Sequence, residues 1–302
     1  MKLCVIGGAG ARSAFLTKSL VKSAREIRVD HIVLLDNNEE HLRTYGQISK
    51  ELARRMEPSL TFDITSDARG ALTGADYIIT TIRAGGDAGR LFDEKTCLAH
   101  GVLGQETTGA GGFAMAIRSV PTLVYYCTLA REVSNPGHLI FNFTNPSGII
   151  TQALRSCGFA NVYGICDAPS GFIKQLEEIL NVPYGALDIE CYGLNHLSWF
   201  RNAKLDGRDV QEELLNNPRT YQHSEMRLFT REMARLSGEC MLNEYLYFYY
   251  RREKSLSMVQ KAEHPRGEMI YLINRELETQ LAQMELPRDF EKAFNLYMNA
   301  YG

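Results

Sequence analysis

The 302-residue chain lacks a strong charge of either sign, and its sequence shows no long uninterrupted apolar run. Its 33 basic and 36 acidic side chains leave a formal net charge of −3 at pH 7. Such a balance provides no general attraction for nucleic acid or for an anionic membrane surface. No stretch approaches the roughly 20 apolar residues that a membrane span requires. We therefore expect neither a nucleic-acid partner nor a membrane partner.

Cysteine is also too sparse and too irregularly placed to form a disulfide framework. The chain has 7 cysteines, an odd number, and they are scattered through apolar contexts. In a chain of this size, such a pattern indicates reduced thiols. A strand is predicted almost at the N-terminus, which leaves no room for a signal peptide. The sequence thus predicts a cytoplasmic protein.

What the chain does contain is enough apolar material for a large core, since 45% of its residues are hydrophobic. Up to residue 168, short apolar runs alternate with helical patterns at 38–56 and 113–133. This alternation is typical of an α/β fold with a Rossmann-like, doubly wound parallel sheet. The predicted strands are residues 3–6, 32–35, 60–64, 77–82, 139–143 and 162–165. We assign residues 1–168 to a dinucleotide-binding domain.

The pattern changes after residue 168, and residues 169–302 are predicted to form a second, mixed α+β domain for substrate and metal. Alternating segments indicate antiparallel strands joined to one another by turns. The predicted elements are a helix at 172–180, strands at 189–194 and 199–205, a turn at 206–207, and helices at 224–236 and 267–284.

Three glycines follow the first predicted strand, and an aspartate ends the second. Gly7, Gly8 and Gly10 can adopt positive φ and allow backbone N–H groups to approach a pyrophosphate at the start of the next helix. Asp36 could accept hydrogen bonds from the adenine ribose hydroxyls, which favours NAD over its 2′-phosphorylated relative. The third glycine of the G-x-G-x-x-G pattern is absent. An ordinary glycine-rich turn therefore remains an alternative.

Polar side chains follow the later predicted strands, at the sheet edge where open α/β folds bind ligands. They are Arg83 and Arg90 after the fourth strand, Asn145 after the fifth, and Cys166 and Asp167 after the sixth. A long glycine-rich loop at 104–112, which contains Glu106, precedes a predicted helix.

Cys166 and His196 are candidate ligands of one metal ion. A thiolate and an imidazole with open coordination positions would suit a cation that polarises a substrate oxygen. The alternative is that both residues only pack, because a lone cysteine and a lone histidine thirty residues apart are more often packing residues.

Tyr245 begins an aromatic-rich segment that by default indicates a buried face. One of its tyrosines could act as a general base if a cation or a hydrogen bond lowers its pKa from about 10. Arg90 and Arg266 could hold a phosphate through paired hydrogen bonds, whereas surface salt bridges are the alternative for each.

Several segments occur together in a characteristic order from residue 4 to about residue 280. They are Gly7-Gly8, Ile82-Arg-Ala-Gly-Gly86, Gly104-Gln-Glu-Thr-Thr-Gly-Ala-Gly-Gly-Phe113, Thr144-Asn-Pro146, Cys166-Asp167, Gly193-Leu-Asn-His196, Tyr245 with the aromatic residues after it, and Pro265-Arg-Gly-Glu268. In this combination the chain resembles glycoside hydrolase family 4, and in particular its 6-phospho-β-glucosidases. That family uses NAD and departs from the two-carboxylate scheme of glycoside cleavage.

The resemblance implies which residues bind ligands and which carry the reaction. Cys166 and His196 would hold Mn²⁺, Gly7, Gly8, Gly10, Asp36 and Arg83 would bind NAD, and Arg90, Asn145 and Arg266 would contact a phosphorylated disaccharide or glycoside. Tyr245 would be the catalytic base, Glu106 the acidic group that raises its proton affinity, and Asp167 a proton donor.

The reaction implied by the resemblance begins with transfer of the C3 hydride to NAD. The resulting ketone makes the C2 proton acidic, so that Tyr245 can remove it and the C1 oxygen can leave. Water then adds and the hydride returns, so NAD is not consumed. We also expect a homo-oligomer, either a dimer or a tetramer.

Two departures from the family pattern leave questions open. Asp167 is typical of α-specific members, whereas the loop around Glu106 resembles that of β-specific members, so the anomeric preference stays open. Family members continue beyond residue 302, which predicts a missing C-terminal portion and an incomplete second domain. The alternatives are a lactate- or malate-dehydrogenase-like oxidoreductase and a non-catalytic protein that binds NAD or a sugar phosphate.

Overall fold

The chain divides into two compact units in the computed structural model, which describes residues 1–286 and 288–301. The first unit comprises Met1–Cys97, Gly104–Ile165 and Glu263–Gly302, and the second comprises Leu98–Leu103 and Cys166–Ala262. The division at 165–166 lies close to the predicted domain boundary at residue 168. Residues 263–302, however, group with the first unit, whereas the sequence analysis placed them in the second domain.

A six-stranded parallel sheet with the order β3-β2-β1-β4-β5-β6 forms the centre of the first unit. The strands are β1 (Lys2–Ile6), β2 (His31–Leu35), β3 (Thr61–Thr65), β4 (Tyr77–Thr80), β5 (Leu139–Asn142) and β6 (Val162–Gly164). Cys4 of β1 belongs to one buried core cluster, and its neighbour Val5 belongs to another. Because successive side chains of a strand point to opposite faces, both faces of the sheet are covered. The predicted Rossmann-like fold is confirmed.

Helices connect these strands. They are α1 (Ser13–Ser23), α2 (Glu39–His41), α3 (Gln47–Met56), α4 (Ala68–Leu72), α5 (Gly86–Ala99), α6 (Gly109–Val133) and α7 (Ser147–Ser156). The predicted helix at 38–56 corresponds to α2 and α3 with a π-helical turn, Leu42–Gly46, between them. Helix α6 begins four residues before the predicted start at 113.

Helix α6 is long and apolar enough to cross a membrane when only length and composition are considered. The expectation that the sequence contains no such stretch was therefore wrong. Within the first unit, Leu123, Cys127 and Ala130 of α6 pack in the same core cluster as Cys4 and Ile140 of the sheet. Core helices of soluble proteins pass the same test, so a single helix of this kind is weak support for a membrane partner.

The second unit contains an antiparallel sheet of four strands in which β8 is paired with β7, β9 and β10. The strands are β7 (Leu187–Leu194), β8 (Leu197–Leu205), β9 (Arg208–Asp209) and β10 (Met241–Leu242). The helices are α8 (Ala168–Leu180), α9 (Gln211–Asn216), α10 (Thr220–His223), α11 (Arg231–Leu236), α12 (Leu246–Tyr250) and α13 (Arg252–Lys261). The predicted mixed α+β character is confirmed.

The predicted helix at 224–236 was wrong as a continuous element. A 3₁₀ turn, Glu225–Leu228, is followed by extended backbone at Phe229 and Thr230 before α11 begins. Phe229 is buried and lies edge-on to Tyr247, with 5.8 Å between the ring centroids. Thr230 accepts a hydrogen bond from the Met233 N–H and so caps α11. Burial of the Phe229 ring and the cap at Thr230 stabilise the extended backbone here, so the chain does not continue as one helix.

The chain returns to the first unit with α14 (Arg266–Leu281) and α15 (Phe290–Tyr301). Phe290 and Tyr297 of α15 share a core cluster with Tyr45 and Ile48. Helix α14 confirms the predicted helix at 267–284, apart from its last turn. Residues 287 and 302 of the predicted second domain lie outside the described residues.

Candidate active site

The glycine-rich turn after β1 has no room for side chains at its first two glycines. Gly7 has φ of +79°, and a Cβ atom added to it would lie 2.9 Å from the backbone nitrogen of Ile82. A Cβ atom on Gly8 would lie 2.9 Å from the Leu34 Cβ atom. Contacts this short do not occur between real side chains, so both positions require glycine for the turn to pack against β2 and the end of β4.

Asp36 and Thr81 hold this turn from the ends of the neighbouring strands. The Asp36 carboxylate accepts hydrogen bonds from the Ala9 N–H (3.2 Å) and the Asn38 N–H (3.0 Å). The Thr81 hydroxyl donates to the Gly7 carbonyl oxygen at 2.9 Å. The carboxylate predicted to bind a ribose therefore lies beside the backbone predicted to bind a pyrophosphate, at the carboxyl edge of the sheet.

Gly10 is not required by packing within the protein, because an added Cβ atom would come no closer than 3.8 Å to its nearest neighbour, the Gly7 oxygen. In place of a third glycine, Ser13 begins α1 and is buried. It accepts a hydrogen bond from the Ser49 hydroxyl of α3 at 3.1 Å. A small polar residue thus allows the close helix packing for which the usual pattern uses glycine.

A network of buried and half-buried charges follows β4 in the first unit. Arg90 donates to Glu94 at 2.8 Å and lies 3.1 Å from Glu106. Arg83 donates to the other oxygen of Glu106 at 2.9 Å and also pairs with Asp87. Burial lowers the pKa of Arg83, but the nearby carboxylates of Glu106 and Asp87 outweigh this effect, and the net pKa is raised. Arg83 and Arg90 thus share the carboxylate of Glu106, each through a different oxygen.

The surface salt bridge considered for Arg90 was wrong, because this side chain is only 6% exposed. Glu94 completes the network, since its second oxygen accepts the Gly267 N–H at the start of α14 (2.9 Å). Sequence reasoning did not identify Asp87 or Glu94. Asp87 lies four residues after Arg83, and Glu94 lies four residues after Arg90 on α5. This spacing was the signal that could have indicated them.

The other two residues predicted to bind substrate lie in different elements of the first unit. Asn145 follows β5 and precedes Pro146, to which it is joined by a cis peptide bond. Arg266 is exposed and is the first residue of α14. The described hydrogen bonds do not join either residue to the Arg83–Arg90 network, so their roles stay predictions.

Cys166 and His196 lie side by side in the second unit, as predicted. The Cys166 Sγ atom is 3.4 Å from His196 Nε2, and the sulfur also accepts the Ala168 N–H at 3.5 Å. His196 is 7% exposed. A thiolate and an imidazole nitrogen at this separation could bind one cation after a small adjustment. Their function as metal ligands stays a prediction.

The hairpin of β7 and β8 presents His196 at its tip. Gly193 pairs with Ser198 and has φ of +114°, and a Cβ atom on it would lie 2.3 Å from the Leu197 oxygen. His196 itself has φ of +58°, in the left-handed region. A non-glycine residue in this region is uncommon and often marks a functional site. Gly193 thus permits the tight turn that places His196 next to Cys166.

Tyr245 stacks on His196 with 4.1 Å between the ring centroids and an angle of 4° between the ring planes. Its backbone N–H donates to the Asn243 side-chain oxygen at 3.2 Å. Asn243 in turn donates to Glu225 at 2.9 Å. Sequence reasoning did not identify Asn243 or Glu225, because neither matched a known motif. The interpretation of the aromatic segment as only a buried face does not account for Tyr245.

Asp167 is exposed and directly precedes α8, with its carboxylate 4.0 Å from the Cys166 sulfur. This position is compatible with a proton donor near the Cys166–His196 pair. Among residues 1–286 and 288–301, no group of three or more His, Cys, Asp or Glu side chains is arranged to hold a metal ion. Cys166 and His196 are thus a pair of candidate ligands, and a cation held by this pair would have positions open to substrate or water.

The sequence and the fold match one family. A family model described as family 4 glycosyl hydrolase matches residues 2–182, and a model of its C-terminal domain matches residues 191–300. The C-terminal match covers a region that the sequence analysis expected to be incomplete. Both parts of the family are thus recognisable in this chain.

Two relatives and one solved structure illustrate the similarity. The 6-phospho-β-glucosidase of Thermotoga maritima is 30% identical over 97% of this chain and 69% of its own length. A phospho-α-glucosidase of Clostridium acetobutylicum is 32% identical over 82% of this chain and 59% of its own length. A structure of the Thermotoga enzyme with manganese, NAD⁺ and glucose-6-phosphate aligns with a TM-score of 0.82 and 30% identity, over 100% of this chain and 72% of that one.

Proposed function

Because the chain belongs to family 4 of the glycosyl hydrolases, we propose that it cleaves 6-phosphoglycosides with the help of NAD and a divalent metal ion. The observation that carries this proposal is the arrangement of Cys166, His196 and Tyr245. The first two are 3.4 Å apart, and the tyrosine ring stacks on the imidazole. An ordinary dehydrogenase that oxidises a hydroxy acid has no need for a thiolate in this arrangement.

The donor set of the second unit fits a divalent metal ion. A thiolate and an imidazole favour zinc or another soft cation, whereas manganese prefers oxygen ligands. With only two protein donors, oxygen ligands from substrate and water would complete the coordination. We therefore propose Mn²⁺, which is named with the related Thermotoga enzyme, and expect Cys166 and His196 to hold it.

The first unit fits NAD. Gly7 and Gly8 leave the backbone of the turn without side chains, and Asp36 lies beside that turn. Carboxylate acceptors at this position suit a free ribose hydroxyl and repel a 2′-phosphate. We propose that Gly7, Gly8, Gly10 and Asp36 bind the adenosine and pyrophosphate parts of NAD, and that Arg83 contacts the cofactor.

When bound, NAD would accept the C3 hydride and later return it, and the metal ion would stabilise negative charge on the substrate oxygens. Tyr245 would remove the C2 proton, and for this role at neutral pH the metal cation would have to lower the pKa of Tyr245 by more than Glu106 raises it. Asp167 would donate a proton to the leaving C1 oxygen. Glu106 would raise the proton affinity of the base, while Arg90, Asn145 and Arg266 would bind the phosphorylated sugar.

The substrate and the mechanism can be tested together with p-nitrophenyl 6-phospho-β-glucoside and the corresponding α-anomer. We expect release of p-nitrophenol only when NAD, Mn²⁺ and a reductant are all present. Deuterium at C2 of the substrate should exchange with solvent during turnover, because the C2 proton is removed before the C1 bond breaks. The ratio of the two rates would give the anomeric preference, which Asp167 and the Glu106 loop predict in opposite directions.

Four results would contradict the proposal. Cleavage without NAD would exclude the redox route, and retention of deuterium at C2 would exclude the elimination step. A net rise in NADH absorbance with lactate or malate, without metal, would favour the oxidoreductase instead. A protein that binds NAD but releases no sugar would be the non-catalytic alternative.

We further propose that the protein acts in the cytoplasm and forms a homo-oligomer. The sequence predicted no disulfide framework, and all seven cysteines are free thiols in the structure. Reduced cysteines, including the proposed metal ligand Cys166, agree with a reducing compartment. Exposed apolar side chains on α6 supply a surface that a second copy could cover.

A further inference from the structure

The turn that carries Tyr245 is held by a buried carboxylate from a distant part of the chain. The Glu225 Oε2 atom accepts hydrogen bonds from the Asn243 side-chain amide (2.9 Å) and from the Glu244 N–H (3.0 Å). Asn243 is 1% exposed and Glu225 is 8% exposed. One oxygen atom thus binds two consecutive residues of the turn just before Tyr245.

Asn243 also makes hydrogen bonds to Tyr245 and to β8. Its side-chain oxygen accepts the Tyr245 N–H at 3.2 Å, which fixes the first residue before α12. Its backbone N–H donates to the Ser198 oxygen of β8 at 3.1 Å. Ser198 lies two residues after His196 in the same hairpin, so Asn243 connects the tyrosine turn to the strand that carries the histidine.

Glu225 is itself held firmly in the second unit. Its backbone N–H donates to the Gln175 side chain of α8 at 2.9 Å, and the neighbouring Ser224 hydroxyl caps the 3₁₀ turn by accepting the Met226 N–H. Burial raises the pKa of Glu225 to about 7. In either protonation state the Oε2 atom can accept both hydrogen bonds, so the constraint does not depend on the charge.

We propose that Glu225 and Asn243 are positioning residues that hold the Tyr245 ring flat against the His196 imidazole. The catalytic consequence, a correctly placed base for the C2 proton, rests on the proposed function. The geometric part does not, because it concerns only four residues of the second unit. Neither Glu225 nor Asn243 touches the substrate in this proposal.

The geometric part can be tested by NMR on protein labelled with ¹³C at the histidine ring. The chain has only 7 histidines, so each ring signal can be resolved, and His196→Gln identifies the signal of His196. Protons above the face of an aromatic ring are shifted upfield, and Tyr245→Ala gives the position of the unstacked signal. We expect Glu225→Ala and Asn243→Ala to move the His196 signal toward that position, whereas Glu225→Gln should leave it in place.

Glu177→Ala is the matched control. Glu177 is also a buried carboxylate of the second unit, 1% exposed, and one of its oxygens accepts the backbone N–H groups of Gly185 (2.8 Å) and Leu187 (3.1 Å). Its loss should destabilise the unit without moving the His196 signal. The same signal position in Glu225→Ala and in the parent protein would overturn the proposal.

A kinetic measurement tests the catalytic consequence. With p-nitrophenyl 6-phospho-β-glucoside, we expect Glu225→Ala to lower kcat about tenfold to a hundredfold and to leave KM within about threefold, because small misplacement of a reacting group affects the barrier more than binding. The isotope effect with C2-deuterated substrate should increase, and Glu225→Gln should restore most of the rate.

The NMR and kinetic measurements distinguish failure of the proposed function from failure of the positioning proposal. A parent protein that cleaves no substrate would contradict the proposed function, while the His196 signal would still decide the positioning. Unchanged kinetics despite a moved signal would contradict the catalytic consequence. If Glu225→Ala does not fold, as judged by loss of the other histidine signals, Asn243→Ala provides the same test, because it removes the bridge and retains the carboxylate.

Discussion

The turn after β1 can form only because residue 7 is glycine and has no Cβ atom. At Gly7 the backbone is in the left-handed region and the neighbouring Ile82 leaves no space, whereas a Cβ atom on Gly10 would make an ordinary contact, 3.8 Å from the Gly7 oxygen. The structure therefore requires glycine at position 7 but not at position 10, although sequence reasoning treated the two glycines alike. At the same scale, the Cys166 sulfur lies 3.4 Å from His196 Nε2, and the metal site proposed for this pair rests on that separation.

The difference between the glycines predicts different results for two matched variants. Gly7→Ala should lower the free energy of unfolding by roughly 1–2 kcal/mol or more, because alanine is disfavoured at positive φ and its Cβ atom would contact Ile82. It should also weaken NAD binding. Urea denaturation and calorimetric titration with NAD measure the two effects. Gly10→Ala serves as the control for stability, and an equal loss in both variants would contradict this account.

Cys166→Ser should abolish binding of Mn²⁺ at this site and reduce glycoside cleavage by about a hundredfold or more, because serine does not ionise to replace the thiolate. Titration with Mn²⁺ followed by electron paramagnetic resonance measures the binding directly. Cys157→Ser, at an exposed cysteine of the first unit, is the control. Full activity and unchanged Mn²⁺ binding in Cys166→Ser would exclude the cysteine as a ligand.

At the scale of elements, helices α3 and α15 are joined by charge as well as by apolar packing. Glu51 of α3 accepts hydrogen bonds from Arg54 and Arg55 of the same helix, and Arg55 also pairs with Glu291 of α15. The Arg55 guanidinium lies over the Phe290 ring, 4.2 Å from its centroid. This cluster attaches the C-terminal helix to the first unit.

The cluster makes the first unit sensitive to acid. The hydrogen bond from Arg54, opposed by burial and supported by Arg55, lowers the pKa of Glu51 from 4.5 to about 2. A lowered pKa in the folded state means that ionised Glu51 stabilises the protein above pH 4.5, and that this stabilisation is lost as the pH falls toward 2. Glu51→Gln should therefore cost roughly 1 kcal/mol at pH 7, after allowance for the exposed arginines.

The measurement is the free energy of unfolding of both proteins between pH 7 and pH 3. The difference between them should shrink as the pH falls below 4.5, and Glu57→Gln, at an exposed ion pair with Arg25, should show a smaller effect. A difference that stays constant with pH would mean that Glu51 contributes through packing and not through its charge.

The elements also show where sequence reasoning succeeded. The six parallel strands were predicted to within two residues at each end. The buried strands β1 and β2 were identified because each is a short run of apolar residues. The helix predicted at 224–236 failed at Phe229. The spacing of apolar residues around Phe229 is that of a helix. The Phe229 ring, however, packs on Tyr247, which lies 18 residues away in sequence.

At the scale of the whole molecule, one face of α6 presents apolar side chains to solvent. Phe113, Ile117 and Tyr125 are 63%, 57% and 60% exposed, and their spacing places them on one stripe of the helix. A monomeric soluble protein seldom leaves such a stripe uncovered. The proposed homo-oligomer would bury it against a second copy.

The double variant Ile117→Glu, Tyr125→Glu should therefore shift the protein toward the monomer, as measured by sedimentation velocity. Leu236→Glu, at an isolated leucine that is 83% exposed in the second unit, is the control and should leave the mass unchanged. A parent protein that sediments as a monomer would exclude the homo-oligomer. An unchanged oligomer in the double variant would exclude α6 as the interface.

The resemblance to the family implied the close approach of Cys166 to His196, although the two residues by themselves left packing as an alternative. The parallel sheet and the family followed from the amino-acid order, since they depend on local runs and on motifs that keep their spacing. The Arg83–Glu106–Arg90 network, the return of residues 263–302 to the first unit and the support of Tyr245 by Glu225 did not. Each depends on contacts between residues far apart in the chain, where ion pairing and burial are set by the folded neighbours and leave no periodic pattern in the sequence.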